Sequence, residues 1–262
     1  MPSLAQWFNN ERLNKYLPIL HVCLVQNHSL VLRMPAKLYG VLLSPPVRAV
    51  LMCANALNIH LDLININLIS RELLQEEYLK KNPQHTVPFL EEDDGFVLTD
   101  SHAIMAYLVA KYGAEEDSLY PKNDHRLRAI IDSRLHYDSS ALFIRGLNIS
   151  KPMYFYNIKP TQDKIDELKE SFEVLDRILK ETGTKYIAGN NLTIADFSIV
   201  TSLTSWNVYV NYENFPNLKI YVERVQKLPC YEENKKGLED YVNMVQETLA
   251  RVGVDVKAPL PQ

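Results

Sequence analysis

Pro45 and Pro46 stand side by side between an apolar run, Lys37 to Leu43, and a set of apolar residues at helical spacing, Val47, Val50, Leu51, Ala54 and Leu57. Neither proline can donate a backbone hydrogen bond, so the pair is excluded from a strand ladder and from a helix interior. It fits the first turn of a helix, where N–H groups have no intrahelical partner. The local order is therefore strand, turn, helix, with Ser44 at the hand-over. That end of a helix is expected to carry free N–H groups and a partial positive charge, which suits an anion and favours thiolate over thiol. Ser44 reads either as a plain N-cap or as a hydroxyl beside such an anion, and the residues alone leave both open.

The chain continues in short elements. Leu61 to Ile66 reads as a second strand, and Ser70 to Lys81 as a helix. Asn82-Pro83-Gln84-His85 is turn chemistry. Val87 to Leu90 and Phe96 to Thr99 read as a hairpin around an acidic turn, Glu91 to Gly95. Asp100 opens a further helix with Ile104, Leu108 and Tyr112 on its apolar face. The order β-α-β-α-β-β-α predicts an α/β thioredoxin-like domain over 34–117.

Two dipeptides in this half carry chemistry. A proline within an apparent strand, as in Val87-Pro88, makes sense if the bond is cis and the preceding residue offers its backbone to a ligand. Asp100-Ser101 again feeds a helix N-terminus and combines a carboxylate with hydroxyl and N–H donors. Donors for a carboxylate together with an acid for an ammonium fit a zwitterionic γ-glutamyl group. Each pair also reads as ordinary turn or cap chemistry.

The second half is helical by pattern. Asp124 to about Ile149 predicts one long helix with Gly146 as a kink, and Thr161 to Glu181 a second helix with one apolar stripe. Thr193-Ile194-Ala195-Asp196 is a capping box, a folding signal rather than a catalytic site. Phe215–Lys227 and Tyr231–Leu249 complete an all-α domain over 124–250, followed by a tail over 251–262. Residues 1–33 match nothing downstream and read as a disordered extension, with Met34 as a natural start. Cys23, Cys53 and Cys230 are odd in number and widely spaced, which fits a reducing compartment rather than a disulfide framework. A net charge of −4 without a basic block argues against nucleic acid. No apolar run of about 18 residues is present, so no membrane partner is expected.

Ser44-Pro45-Pro46-Val47-Arg48, Asn82 to Pro88, Asp100-Ser101-His102-Ala103-Ile104, Ser118-Leu119-Tyr120-Pro121 and Leu192 to Ser198 occur in fixed order. Together they resemble the insect cytosolic glutathione transferases, the epsilon class first and delta next, over about Pro35 to Leu249. The resemblance implies the two-domain fold of that family, glutathione as co-substrate, no metal, a homodimer and a cytoplasmic location. It implies that Ser44 hydrogen-bonds the glutathione sulfur as the catalytic residue. His85 would reach the glycyl end, Val87 before cis Pro88 would pair with the cysteinyl backbone, and Asp100 and Ser101 would hold the γ-glutamyl end.

The hydrophobic second-substrate pocket would be lined by Leu42, Phe143, Arg145, Tyr154 and Phe155, with Tyr156 adjoining. The implied reaction is conjugation of the glutathione thiolate to apolar electrophiles, in detoxification and insecticide metabolism, with dehydrochlorination as a side activity. Leu73 stands where relatives often carry a histidine for the glycyl carboxylate, which shifts that task toward His85 and main-chain donors. Leu147 stands where a basic residue is common, which makes the pocket less polar, and no acid near Gly146 supports ecdysteroid-precursor chemistry. The alternative is a weakly catalytic binding protein for hydrophobic ligands. A thiol oxidoreductase would need cysteine at Ser44.

Overall fold

A computed structural model describes residues 21–24, 30–68, 70–115 and 117–254. The expected extension over 1–33 and tail over 251–262 lie largely outside these residues. Within them, β1 (His21–Leu24) pairs antiparallel with the start of β2 (Leu30–Gly40), His21 opposite Arg33 and Leu24 opposite Leu30.

β2 is the central strand. It runs parallel to β3 (Ile59–Asn65) and antiparallel to β4 (Phe89–Glu92), which pairs in turn with β5 (Val97–Thr99). The β2–β3 connection is a crossover through α1 (Pro45–Ala56), as a parallel pair requires. α1 begins at the double proline, as the sequence predicts. Val47, Ala49, Val50, Met52 and Cys53 of α1 are fully buried against the rest of the domain. α2 (Glu76–Lys81) is shorter than expected. Arg71 takes a left-handed φ of 58° and Gln75 an extended backbone, so a 3₁₀ turn at Glu72–Leu74 replaces the first half of the predicted helix. α3 (Ser101–Tyr112) closes the domain.

The helical half comprises α4 (His125–Tyr137), α5 (Phe143–Tyr156), α6 (Gln162–Thr182), α7 (Ile194–Trp206), α8 (Pro216–Val225) and α9 (Glu232–Arg251). α7 is buried along its whole length and forms the core of this half. Its capping box forms: Asp196 accepts from the Thr193 N–H at 2.8 Å and from the Thr193 hydroxyl at 2.9 Å. The single long helix expected from Asp124 to Ile149 is instead two, divided by a π-helical turn at Asp138–Leu142. The break is at Asp138 and not at Gly146. The extra backbone residue of a π turn re-aims a side chain, and Asp138 is 4% exposed and bonded to α7. Gly146 has another purpose: a Cβ there would run into the Trp206 indole, so glycine permits α5 to lie directly on α7.

Candidate active site

Sheet register gathers three loops. Tyr39 lies opposite Phe89, and Phe89 opposite Thr99. These three residues form a row across about 10 Å at the spacing of neighbouring strands. The chain leaves that row at the β2–α1 turn holding Ser44, at Val87-Pro88 just before β4, and at Asp100-Ser101 just after β5.

Ser44 is the N-cap residue of α1, with φ −82° and ψ 118°, yet its side chain makes no capping bond. Its N–H donates to the Val41 carbonyl at 2.9 Å, and its carbonyl accepts from the N–H groups of Val47 and Arg48 at 3.1 and 3.2 Å. Pro45 and Pro46 have no N–H to offer. The expectation of free N–H groups at this helix end is thereby corrected: the first turn of α1 has none. What remains for an anion is the helix dipole and the Ser44 hydroxyl, which the helix does not consume.

The second loop is organised by Asn82, fully buried. Its Nδ2 donates to the Thr86 carbonyl at 2.7 Å, and its Oδ1 accepts from the Gln84 N–H at 3.1 Å. Its carbonyl accepts from the His85 N–H at 2.9 Å. The Val87–Pro88 peptide is cis, as the sequence pattern predicts. His85 is exposed, with φ 46°, and its Nδ1 lies 3.3 Å from the Pro83 carbonyl. Leu73 is buried in its 3₁₀ turn.

At the third loop, Asp100 has φ 74° and caps α3, with Oδ1 accepting from the N–H groups of His102 and Ala103 at 2.9 and 3.0 Å. Ser101 is the first helical residue and is 8% exposed. Directly behind this cap, His102 Nε2 lies 2.6 Å from Ser198 Oγ of α7, and Ser198 donates to Asp138 Oδ2 at 2.5 Å. The other oxygen, Asp138 Oδ1, is buried without a partner. His102, Ser198 and Asp138 so tie the Asp100 loop to the helical half.

A wall of α7 and α9 lies beside the Ser44 turn, with α5 packed on both. Leu42 is half-buried, and a Cβ at Gly237 of α9 would strike the Leu42 carbonyl, so the two backbones are in contact. Phe143 packs on Trp206 with ring centroids 5.8 Å apart, and Trp206 meets Tyr241 edge-on at 5.9 Å. The Trp206 Nε1 is buried without a hydrogen-bond partner, and the buried hydroxyls of Tyr154, Tyr209 and Tyr241 bear on one another. Burial pushes all three phenols well above the ordinary tyrosine value, so they stay neutral. Of the expected pocket residues, Phe143 and Tyr154 pack on this wall. Arg145 is bonded to α6: its Nη1 donates to the Glu167 carbonyl at 2.8 Å and to Ser171 Oγ at 2.9 Å, and its Nη2 pairs with Glu170 at 2.9 Å. Phe155 is 51% exposed at the end of α5.

Arg48 was not singled out from the sequence. It is fully buried. Its Nε donates to Asn234 Oδ1 at 2.8 Å, its Nη1 to the Leu42 carbonyl at 2.7 Å, and its Nη2 to Ser205 Oγ. Burial lowers it to about 10, so it stays charged at neutral pH. The signal available in the sequence was a lone cation at a position flanked by apolar residues on the buried face of α1. Cys53 and Cys230 are buried free thiols, and burial raises both, so they are held un-ionised. No helix among the described residues is long and apolar enough to cross a membrane.

Comparison with known proteins gives a consistent picture. Residues 38–116 match the family model "Glutathione S-transferase, N-terminal domain", and residues 149–233 match "Glutathione S-transferase, C-terminal domain". The chain is 39% identical to glutathione S-transferase 1 of Manduca sexta over 199 residues, 74% of this chain and 89% of that protein. It is similar to an epsilon-class glutathione S-transferase from the housefly, Musca domestica, at 46% identity and a TM-score of 0.77, over 84% of this chain and 100% of the other. A glutathione transferase homologue from Drosophila mojavensis, solved with bound glutathione, matches at 41% identity and TM-score 0.77, over 81% and 97% of the two chains.

Proposed function

The chain belongs to the glutathione S-transferase family, and from that premise we propose that it conjugates the glutathione thiolate to hydrophobic electrophiles at the end of the sheet where the Ser44, Val87 and Asp100 loops meet. The observation that carries this reading is the Ser44 hydroxyl, placed at the head of α1 but not spent on capping it. In the proposed complex it donates to the sulfur and holds it as thiolate. Asp100 and Ser101 take the γ-glutamyl end, the Val87 backbone pairs with the cysteinyl unit, and His85 stands toward the glycyl end. Phe143 and Tyr154, with Trp206 and Tyr241 behind them, offer an apolar surface for the second substrate. The enzyme gains rate by populating the thiolate and by holding it beside the electrophile. We further read 34–117 as the glutathione-binding domain and 124–250 as the substrate domain of a cytoplasmic homodimer.

Turnover of a chloronitrobenzene with glutathione tests the assignment. Ser44→Ala should lower turnover about 10²-fold, the scale of losing one donor to a developing or resident anion. Activity that survives the substitution would move the role to another donor. Glutathione binding without turnover in the natural sequence would favour a ligand-binding protein. A single-chain mass by light scattering would remove the homodimer.

A further inference from the structure

Arg48 is placed where a cation is least expected. It is the fourth residue of α1, in the first turn, where the helix dipole is already positive and a cation is disfavoured. It is fully buried, and burying a charge without a counter-charge is costly. All three of its acceptors are neutral. Asn234 is fixed by donating to Thr204 Oγ1 at 3.1 Å, so its Oδ1 is the atom presented to Arg48. Ser205 spends its own proton on the Thr201 carbonyl at 2.6 Å, so it can only accept from the guanidinium. The third acceptor is the Leu42 carbonyl, two residues before Ser44. From the elements packed on α1, the phenols of Tyr241 and Tyr231 bear on the guanidinium, while Glu233 of α9 meets the far end of α1 at Asn55 and is paired with Lys236. No carboxylate pairs with it among the described residues.

A buried cation that the fold leaves uncompensated is suited to an anion that arrives with a ligand. The guanidinium holds the turn that carries Ser44, and the first turn of α1 has no free N–H of its own. We propose that Arg48 is a positioning residue for glutathione ionisation: through the Leu42 carbonyl it sets the Ser44 turn, and its unneutralised charge favours thiolate over thiol in the bound tripeptide. This rests on the reading of Ser44 given above and adds a second, electrostatic contribution to the hydroxyl's.

The test is a pH titration of glutathione bound to the full-length protein, following thiolate absorbance in the ultraviolet. In Arg48→Gln the bound thiol should titrate about one unit higher than in the natural sequence, equivalent to about tenfold less thiolate at a pH below both values. Arg48→Lys, which keeps the charge, should recover part of that shift. Because Arg48 spans both halves, a misfolded variant is foreseeable, and Ser44→Ala supplies the independent arm. There the bound thiol should still titrate below free glutathione, since the Arg48 charge remains. A folded Arg48→Gln with an unchanged bound-thiol titration overturns the inference alone, as does a Ser44→Ala protein whose bound thiol titrates like free glutathione. A natural protein that binds glutathione without lowering its thiol titration overturns the Ser44 reading as well.

Discussion

His102 Nε2 and Ser198 Oγ lie 2.6 Å apart, and this contact joins the first turn of α3 to the buried helix α7. The helix that presents Asp100 and Ser101 to the proposed ligand is thus braced by a side chain 96 positions away in sequence. Since Ser198 gives its proton to Asp138, the imidazole must be the donor in this pair.

Removing either partner should therefore loosen the Asp100 loop and weaken glutathione binding more than it slows the chemical step. His102→Ala and Ser198→Ala should each cost about 1–3 kcal/mol of stability, the scale for stranding a buried polar group. Each should raise KM for glutathione several-fold with a smaller change in kcat. In a double-mutant cycle the two costs should be strongly non-additive, with a coupling of about 0.5–3 kcal/mol. Additive losses would show that the two residues act separately.

Gly146→Ala separates two opposing effects. In an ordinary helix interior the change stabilises by about 0.5–1 kcal/mol. Here the added Cβ meets the Trp206 indole, so α5 must move off α7. Overpacking of this kind costs about 1–3 kcal/mol, and the net sign should be destabilising. Thermal unfolding decides it, and a raised Tm would mean that the wall yields easily at Trp206.

The elements that could be read from the sequence are those whose chemistry is local. Pro45 and Pro46 fix the start of α1 by lacking N–H groups, and Thr193 with Asp196 marks the start of α7 through residues three apart. The loops holding Ser44, Val87 and Asp100 were legible for the same reason. What escaped depends on distant partners. The π turn at Asp138 makes sense only with Ser198, 60 positions on, and the helical pattern of Asp124 to Ile149 contains no hint of it. The neutral surroundings of Arg48 come from Ser205 and Asn234, 157 and 186 positions away. Helical spacing likewise ran through Ser70 to Lys81, where the left-handed Arg71 interrupts it.

Asp196 should give stability a distinctive pH dependence. Burial lifts its carboxyl to about 6, against the bonds from Ile187 N–H, Thr193 N–H, the Thr193 hydroxyl and the Tyr221 hydroxyl. In the unfolded chain an aspartate ionises near 4. Between those values the folded protein holds a proton that the unfolded chain has released, so stability falls as pH rises from about 4 to about 6, by up to about 3 kcal/mol, and then levels off. Asp196→Asn should abolish that slope while costing about 1–3 kcal/mol at low pH through mismatched bonds. Urea midpoints at several pH values measure both, and parallel curves for the two proteins would refute the assignment.

Asp100 caps α3 and is proposed to hold the γ-glutamyl end, two tasks that substitution can divide. Its Oδ1 caps α3 by accepting from the N–H groups of His102 and Ala103, and its backbone holds φ at 74°, a region that disfavours most side chains. Asparagine keeps an amide oxygen for the cap and is isosteric with aspartate, so it adds no backbone strain that Asp100 does not already bear. Asp100→Asn should therefore fold with nearly unchanged stability yet bind glutathione about tenfold more weakly, at about 1.4 kcal/mol, through loss of the charge proposed to face the γ-glutamyl ammonium. Asp100→Ala should lose the cap as well, lowering stability by about 0.5–2 kcal/mol. Calorimetric glutathione binding beside chemical denaturation distinguishes the tasks. If Asp100→Asn binds as tightly as the natural protein, Asp100 is a helix cap only, and the γ-glutamyl end is held by other groups.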